Sequence, residues 1–370
     1  SQYLGRVRGT VADPECMLIS TGHTQALTLV LRALRNQGAE RVVLEDPGFV
    51  MHRAIVAHLG LTAVPVPIDE YGVTTDCLLD IHADAIVVTP AHQFPSGVVL
   101  APQRRMALLR WAEREDALIV EDDYDAEYRY DRQPIGALQG LAPERVVYSG
   151  TASKTLAPGL RTAWSILPAP LVGPVTGEKA LNDYGSDTLA QITLAHFLEH
   201  GELDRHLRRM RPHYHQRRIA LAEAIERYMP DVRLHGIPAG LHTVVHLPDD
   251  ADELGLVAAA FDHGISVQGL SSARFDQLQG PPGLILGYAN QPPTTIRQGI
   301  RVLARVRQAL DGPPSVPVEA PEYEPRRAKA PRKAPRNATQ PNDTTQPNDT
   351  KQSNHTKSSR HAGAGRKAHG

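Results

Sequence analysis

Lys154 stands in the segment Ser149-Gly-Thr-Ala-Ser-Lys-Thr-Leu-Ala-Pro-Gly-Leu-Arg161, directly after Arg145-Val-Val-Tyr148. That short apolar run between turn signals predicts a buried strand. Small hydroxylated side chains, Ser149, Thr151 and Ser153, surround the lysine, and Pro158 and Gly159 close the turn before Arg161. A lysine where a strand ends is not a solvated helix charge; it occupies the position at which open α/β sheets build ligand sites. A second apolar strand, Leu118-Ile-Val120, runs into Glu121-Asp-Asp-Tyr-Asp125. An aldehyde cofactor held as an imine needs an amine, a carboxylate at its ring nitrogen and donors for its phosphate. Lys154, Asp122 and the group Thr151, Ser153 and Arg161 supply these in turn, which points to a pyridoxal phosphate site.

Burial of an unpaired carboxylate is strongly unfavourable, and a protonated pyridine nitrogen is a cationic partner that lets Asp122 tolerate it. Tyr124, two residues further on the same strand face, is placed to hydrogen-bond the ring hydroxyl. The neighbours Glu121, Asp123 and Asp125 are expected to cap, to pair with surface arginines or to face water. No metal site is expected: no nucleotide-binding loop accompanies this acidic cluster, and Cys16 and Cys77 are isolated. His196, His200, His206, His213 and His215 are read as solvated helix faces.

Together these blocks resemble the aminotransferase-like domain of the MocR/GabR regulators of the GntR family, within the class I aminotransferase fold. The likeness also takes in Tyr3-Leu-Gly-Arg-Val-Arg-Gly9, Thr21-Gly-His-Thr-Gln-Ala-Leu27, Glu45-Asp-Pro-Gly-Phe49, Thr89-Pro-Ala-His-Gln-Phe-Pro-Ser-Gly97 and Leu286-Gly-Tyr-Ala289, about residues 1 to 310 in all. It implies a fold-type-I pyridoxal-phosphate-dependent transferase. His23 and Thr24 would face the cofactor phosphate and Phe49 would stack on its ring. The resemblance also implies a homodimer and an amine or amino acid as effector or substrate. DNA would be contacted only through a winged helix-turn-helix domain upstream; the chain opens at Ser1 inside what reads as a helix ending at Tyr3-Leu4. Two departures matter. Phe94 occupies the place of the asparagine that contacts the pyridine hydroxyl in free-standing aminotransferases, so that either Gln93 or His92 substitutes or the contact is missing. Ile285 occupies the place of the arginine that holds an α-carboxylate, leaving that task, if performed at all, to Arg274 or another residue.

The elements that must position these residues are legible in outline. Strands at Ile19, Arg41–Asp46, Ala85–Thr89 and Leu118–Val120 alternate with helical segments at Thr24–Leu34 and Arg104–Glu115. The second of these helices is expected to bury Met106, Leu108, Leu109 and Ala112. Continuous apolar runs of this kind predict a parallel sheet covered on both faces. Glycine at Gly22 frees backbone amides at a helix start to seat an anion, with Thr24 as a simple cap the alternative. The predicted organisation is a large cofactor domain over 1–170, a helical continuation over 171–230 with a kink or restart at Pro212, a smaller α/β lobe over 231–310 and a disordered Pro/Lys/Arg-rich tail over 311–370. With 370 residues, a formal net charge of −1 and two cysteines, the chain fits a cytoplasmic protein, and its charge balance argues for neither membrane nor nucleic acid. The functions in view are an effector domain of a regulator, a working aminotransferase and an inactive truncated remnant.

Overall fold

In this computed structural model, residues 1–130, 135–277 and 279–312 are described. The chain divides into a unit Ser1–Val318 and a second, Glu319–Gly370. The second unit, and the expected disordered tail beyond Gly312, lie outside the described residues.

The chain opens with α1 (Gln2–Arg8), which Gly9 ends at φ 66, the left-handed conformation that glycine adopts without a Cβ penalty. The helix therefore runs past Tyr3-Leu4, and Arg8 at its end is buried. Next come β1 (Met17–Ser20), α2 (His23–Asn36), β2 (Arg41–Asp46), α3 (Val50–His58), β3 (Thr62–Asp69), β4 (Gly72–Val73), β5 (Ala85–Val88), α4 (Pro102–Arg114), β6 (Leu118–Asp123), β7 (Val146–Thr151) and β8 (Ala163–Ile166). Their strands form one sheet in the order β1-β8-β7-β6-β5-β2-β3-β4. From β3 through β2, β5 and β6 to β7 the pairing is parallel.

The apolar runs are continuous because both faces of the sheet are covered. Val42, Leu44, Val87, Val120 and Val147 point to the side packed by Leu27, Val30 and Val56. The alternate residues Val43, Ile86, Val88, Ile119 and Val146 pack with Leu108, Trp111 and Ala112. On α4 the buried face is Arg105, Leu108, Trp111 and Ala112, while Met106 is 47% exposed. The expected stripe is thus rotated toward the tryptophan, whose larger apolar area outweighs that of the methionine.

The chain continues with α5 (Ala169–Asp183), α6 (Thr188–Glu199), α7 (Glu202–Tyr228), β9 (Arg233–His235), β10 (His242–His246), α8 (Glu253–Asp262), β11 (Gln268–Gly269), β12 (Gly283–Gly287) and α9 (Pro293–Asp311). Pro212 lies inside α7, and the helical run restarts instead at Gly201, in the left-handed region at φ 66. The second sheet, β11-β12-β10-β9, is antiparallel. One face, with Val245, Leu284 and Leu286, packs on residues of α7, α8 and α9 such as Ile225, Leu256 and Ile300. The other, with Val244 and Ile285, packs with Leu270, Ala273 and Phe94. Among the described residues, no helix is long and apolar enough to cross a membrane.

Candidate active site

The carboxyl ends of β2, β5, β6 and β7 meet at one edge of the large sheet. β8 is antiparallel to β7, and β1 is antiparallel to β8, so β1 runs with β7 and delivers the start of α2 to that same edge. Open α/β sheets place their ligands there, where the order of connection reverses; here the reversal lies between β2 and β5.

Lys154 sits three residues past the end of β7 with its side chain exposed. Its backbone is fixed from below: the fully buried Tyr128 hydroxyl donates to the carbonyls of Lys154 (3.3 Å) and Thr155 (3.1 Å). The Ser153 amide donates to Thr151 Oγ1 (3.1 Å), which in turn donates to the Thr162 carbonyl (3.3 Å). Thr151 therefore shapes the turn, whereas Ser153 Oγ is buried with no hydrogen-bond partner. Arg161 adopts the left-handed conformation at φ 46 and lays its guanidinium over Gly22, where an added Cβ would lie 2.7 Å from Nη2. Gly22 itself has φ 139 and caps α2 without any side-chain hydrogen bond. Thr24 is exposed and does not cap, so the amides at this helix start are not claimed by a cap. Ser153, Arg161 and the Gly22-His23-Thr24 backbone can thus gather around an anion.

Asp122, at the end of β6, is 6% exposed. Its Oδ1 lies 3.2 Å from His23 Nδ1 and its Oδ2 3.5 Å from His52 Nε2, yet Oδ1 accepts no hydrogen bond. Burial pushes this carboxyl up, but His23, His52 and Lys154 outweigh it and hold the group below its ordinary value. It is a carboxylate at neutral pH. Burial drives His23 down to about 4, against the pull of Asp122.

The acidic neighbours are not solvated. Glu121, Asp123 and Asp125 are at most 5% exposed. Asp123 takes Arg8 Nε at 2.5 Å and the Tyr148 hydroxyl at 2.6 Å, Asp125 pairs with His92 Nδ1 at 3.0 Å, and Glu121 accepts the Gln139 amide at 3.1 Å. The correction has a simple cause. The sheet edge is roofed by α1 and by the small sheet, so each carboxylate needs an internal donor, and Arg8 and His92 provide two.

Tyr124 follows the last residue of β6; its hydroxyl donates to the His92 carbonyl (3.0 Å) and lies 3.1 Å from His92 Nδ1. Phe49, 36% exposed, stands edge-on to Phe94 at 5.5 Å and to His52 at 5.3 Å. Gln93 turns away from the ring place to donate to the Pro47 carbonyl (2.9 Å) and to Glu45 Oε2 (3.3 Å). Arg274 is committed too, donating to the Pro281 carbonyl beneath Gly280. It does not stand in for an arginine at Ile285, whose surroundings are apolar.

Three residues that the sequence reading passed over enter the picture. His52 follows Phe49 by three residues and so shares its helix face. Glu45 is buried under the Thr89 hydroxyl (2.6 Å), and burial pushes it up to about 7. His242, from the small sheet, lies with its ring 5.0 Å from Phe94 and 5.2 Å from His92, and burial drives it down to about 4. Nothing local in the sequence marks them. Contacts between distant segments bring them in: β2 against Thr89 after β5 for Glu45, α3 against α2 and β6 for His52, and β10 against the loop after β5 for His242.

Residues 1–302 match the family model described as aminotransferase class I and II. The chain belongs to that family, and its large mostly parallel sheet is that of fold-type-I pyridoxal-phosphate aminotransferases. Among curated relatives, it is 33% identical over 307 residues to the HTH-type transcriptional regulator YdeL of Bacillus subtilis, covering 82% of this chain and 65% of that protein. It is 32% identical over 330 residues to the probable rhizopine catabolism regulatory protein MocR of Rhizobium meliloti, covering 88% and 66%. The chain thus spans about two thirds of the length of these relatives. Among solved structures, a kynurenine aminotransferase of Pyrococcus horikoshii, in complex with PMP, superposes with a TM-score of 0.76 at 25% identity, covering 84% of this chain and 78% of that one.

Proposed function

We propose that this chain is the pyridoxal-phosphate-binding, aminotransferase-like effector domain of a MocR-type transcription regulator, answering to an amine. The observation that carries this reading is the grouping of Lys154, Asp122, Ser153 and Arg161 at the sheet edge together with the apolar surroundings of Ile285. Two buried polar atoms without a hydrogen-bond partner, Asp122 Oδ1 and Ser153 Oγ, are of the kinds that would serve the ring nitrogen and the phosphate of such a cofactor. The residues present fit it.

When bound, the cofactor supplies an electron sink for chemistry at the carbon bearing the amine. Lys154 Nζ, with no hydrogen bond or ion pair among the described residues, would be the nucleophile that fastens it and the base for a proton at that carbon. Asp122, ionised, would keep the ring nitrogen protonated. The Gly22, His23 and Thr24 amides, Ser153 Oγ and Arg161 would hold the phosphate, with Thr151 shaping their turn. Phe49 offers a ring face and Tyr124 a hydroxyl. DNA contact belongs to other parts of a longer protein.

Self-association as a homodimer fits the surface: Leu181, Tyr184, Leu189 and Ile192, on and between α5 and α6, are 61 to 94% exposed. A working aminotransferase is the second reading, favoured by the 30% identity over 300 residues to aromatic-amino-acid aminotransferase 1 of Thermococcus litoralis. The two readings separate when the cofactor-loaded chain is titrated with amines and amino acids while absorbance and keto product are followed. The effector reading expects a spectral response without repeated turnover. Sustained product formation with an added amino acceptor would overturn it.

A further inference from the structure

His23 and His52 meet behind Asp122 in an arrangement that holding a phosphate does not require. Their Nε2 atoms face each other at 3.0 Å. Asp122 Oδ2 lies 3.5 Å from His52 Nε2, and one ligand atom from each of the three residues falls within 4.8 Å of the others. The three side chains come from three elements, the start of α2, α3 and the end of β6. Their side-chain exposures are 12%, 8% and 7%.

A tetrahedral zinc ion with bonds of about 2.0–2.1 Å holds its donors roughly 3.3–3.4 Å apart. Two of the three separations, 3.0 and 3.5 Å, bracket that edge and the third lies within 4.8 Å, so an ion drawn among them replaces the hydrogen bond between the two imidazoles. The donor set is two imidazole nitrogens and one carboxylate, which suits borderline transition ions and not calcium or magnesium, which demand oxygen shells. A second cluster, His92, Asp125 and His242, is less apt. The His23 and His52 nitrogens bond one another, a contact an ion replaces, whereas His92 Nδ1 is also held close to the Tyr124 hydroxyl and His242 Nε2 is bonded to the Pro95 carbonyl at 3.1 Å, groups that an ion would strip of their partners.

We propose that His23, His52 and Asp122 form a binding site for a zinc-like transition ion, and that an ion held there excludes the pyridoxal cofactor because the ion and the cofactor's protonated ring nitrogen are two cations drawing on the one negative charge of Asp122. The exclusion rests on the cofactor reading above; the metal site does not. In the cofactor-free chain the ion takes the carboxylate that otherwise serves the ring nitrogen, so the metal acts as a competitive antagonist of cofactor loading.

The test uses the full chain, freed of cofactor, with His196→Ala and His200→Ala to remove the exposed histidine pair. Zinc affinity is read by competition with a chromophoric chelator. One zinc per chain is expected, weakened at least tenfold by His52→Ala. Cobalt(II) in place of zinc gives the absorption of a four-coordinate ion and needs no further variant, so the site remains testable if His52→Ala does not fold. In a pyridoxal phosphate titration, free zinc at ten times its Kd raises the half-saturation concentration about elevenfold, as the factor 1 + [L]/Kd requires. Zinc binding unaltered by His52→Ala, or absent at micromolar concentration, overturns the site. Zinc and cofactor bound together in one chain overturns the exclusion. A chain that binds zinc but no cofactor contradicts the cofactor reading and leaves the site standing.

Discussion

At the scale of residues, charge at the sheet edge is governed by what burial forbids. Asp122 stays ionised because His23, His52 and Lys154 surround it, and Asp122→Asn removes the carboxylate proposed to face a ring nitrogen. The variant is expected to weaken cofactor binding at least tenfold, read by absorbance titration, with unfolding unchanged. Glu45 behaves in the opposite sense. It ionises near 4.5 in the unfolded chain and near 7 when buried. Between those values the folded chain keeps a proton that the unfolded chain has lost, so stability falls as pH rises through the window. The full penalty, about 3 kcal/mol, stands above it. Glu45→Gln keeps the acceptor oxygen for Thr89 and carries no charge. Denaturant unfolding should find it more stable than wild type at about pH 8, with the gap closing as pH falls toward 4.5. A constant gap across pH would contradict the assignment. Lys154 and Asp122 were legible because a charge at the end of an apolar run is conspicuous. His52, Glu45 and His242 were not, because their meaning comes from neighbours far away in the chain.

At the scale of elements, two glycines set close approaches that no other residue allows. Gly22, at φ 139, lets the Arg161 guanidinium pass where a Cβ would stand 2.7 Å from Nη2. Gly22→Ala is expected to displace Arg161 and to lower affinity for both pyridoxal phosphate and inorganic phosphate, with little effect on pyridoxal, which lacks the phosphate. Equal losses for all three would place Arg161 elsewhere. Gly240, at φ 71 just before β10, sits where a Cβ would be 2.1 Å from His92 Cε1. Strand positions followed from apolar runs, since a strand buried on both faces leaves that signature. The turn of α4 that hides Trp111 and bares Met106 did not, because helical spacing alone allowed either face. The solvated setting expected for Asp123 and Asp125 failed for a related reason: their donors, Arg8 and His92, lie 115 and 33 residues away.

At the scale of the whole molecule, α1 is tied into the large sheet by a buried ion pair, Arg8 to Asp123, with both side chains 2% exposed. Burial alone would weaken the guanidinium's charge, but Asp123 and its neighbours more than offset this. Removing one partner of a buried pair strands the other, so Arg8→Ala should destabilise the chain by about 3–5 kcal/mol in denaturant unfolding. A loss below 1 kcal/mol, roughly that of an exposed pair, would show that α1 is dispensable to the fold. A large parallel-dominated sheet followed by a smaller α/β lobe was readable from strand–helix alternation, whereas the antiparallel pairing of the small sheet was not. The roofing of the sheet edge by α1 and the small sheet was not, since it depends on contacts such as Arg8–Asp123 and His242–Pro95 between residues far apart in the chain. The central claim is that Lys154 carries the cofactor. It is tested by the visible spectrum of the chain with pyridoxal phosphate, before and after borohydride reduction, followed by peptide mapping. The account predicts a visible absorbance that reduction removes and a fixed label on the peptide containing Lys154, both absent in Lys154→Ala although that variant folds. A label fixed on another lysine, or retained in the variant, would contradict it.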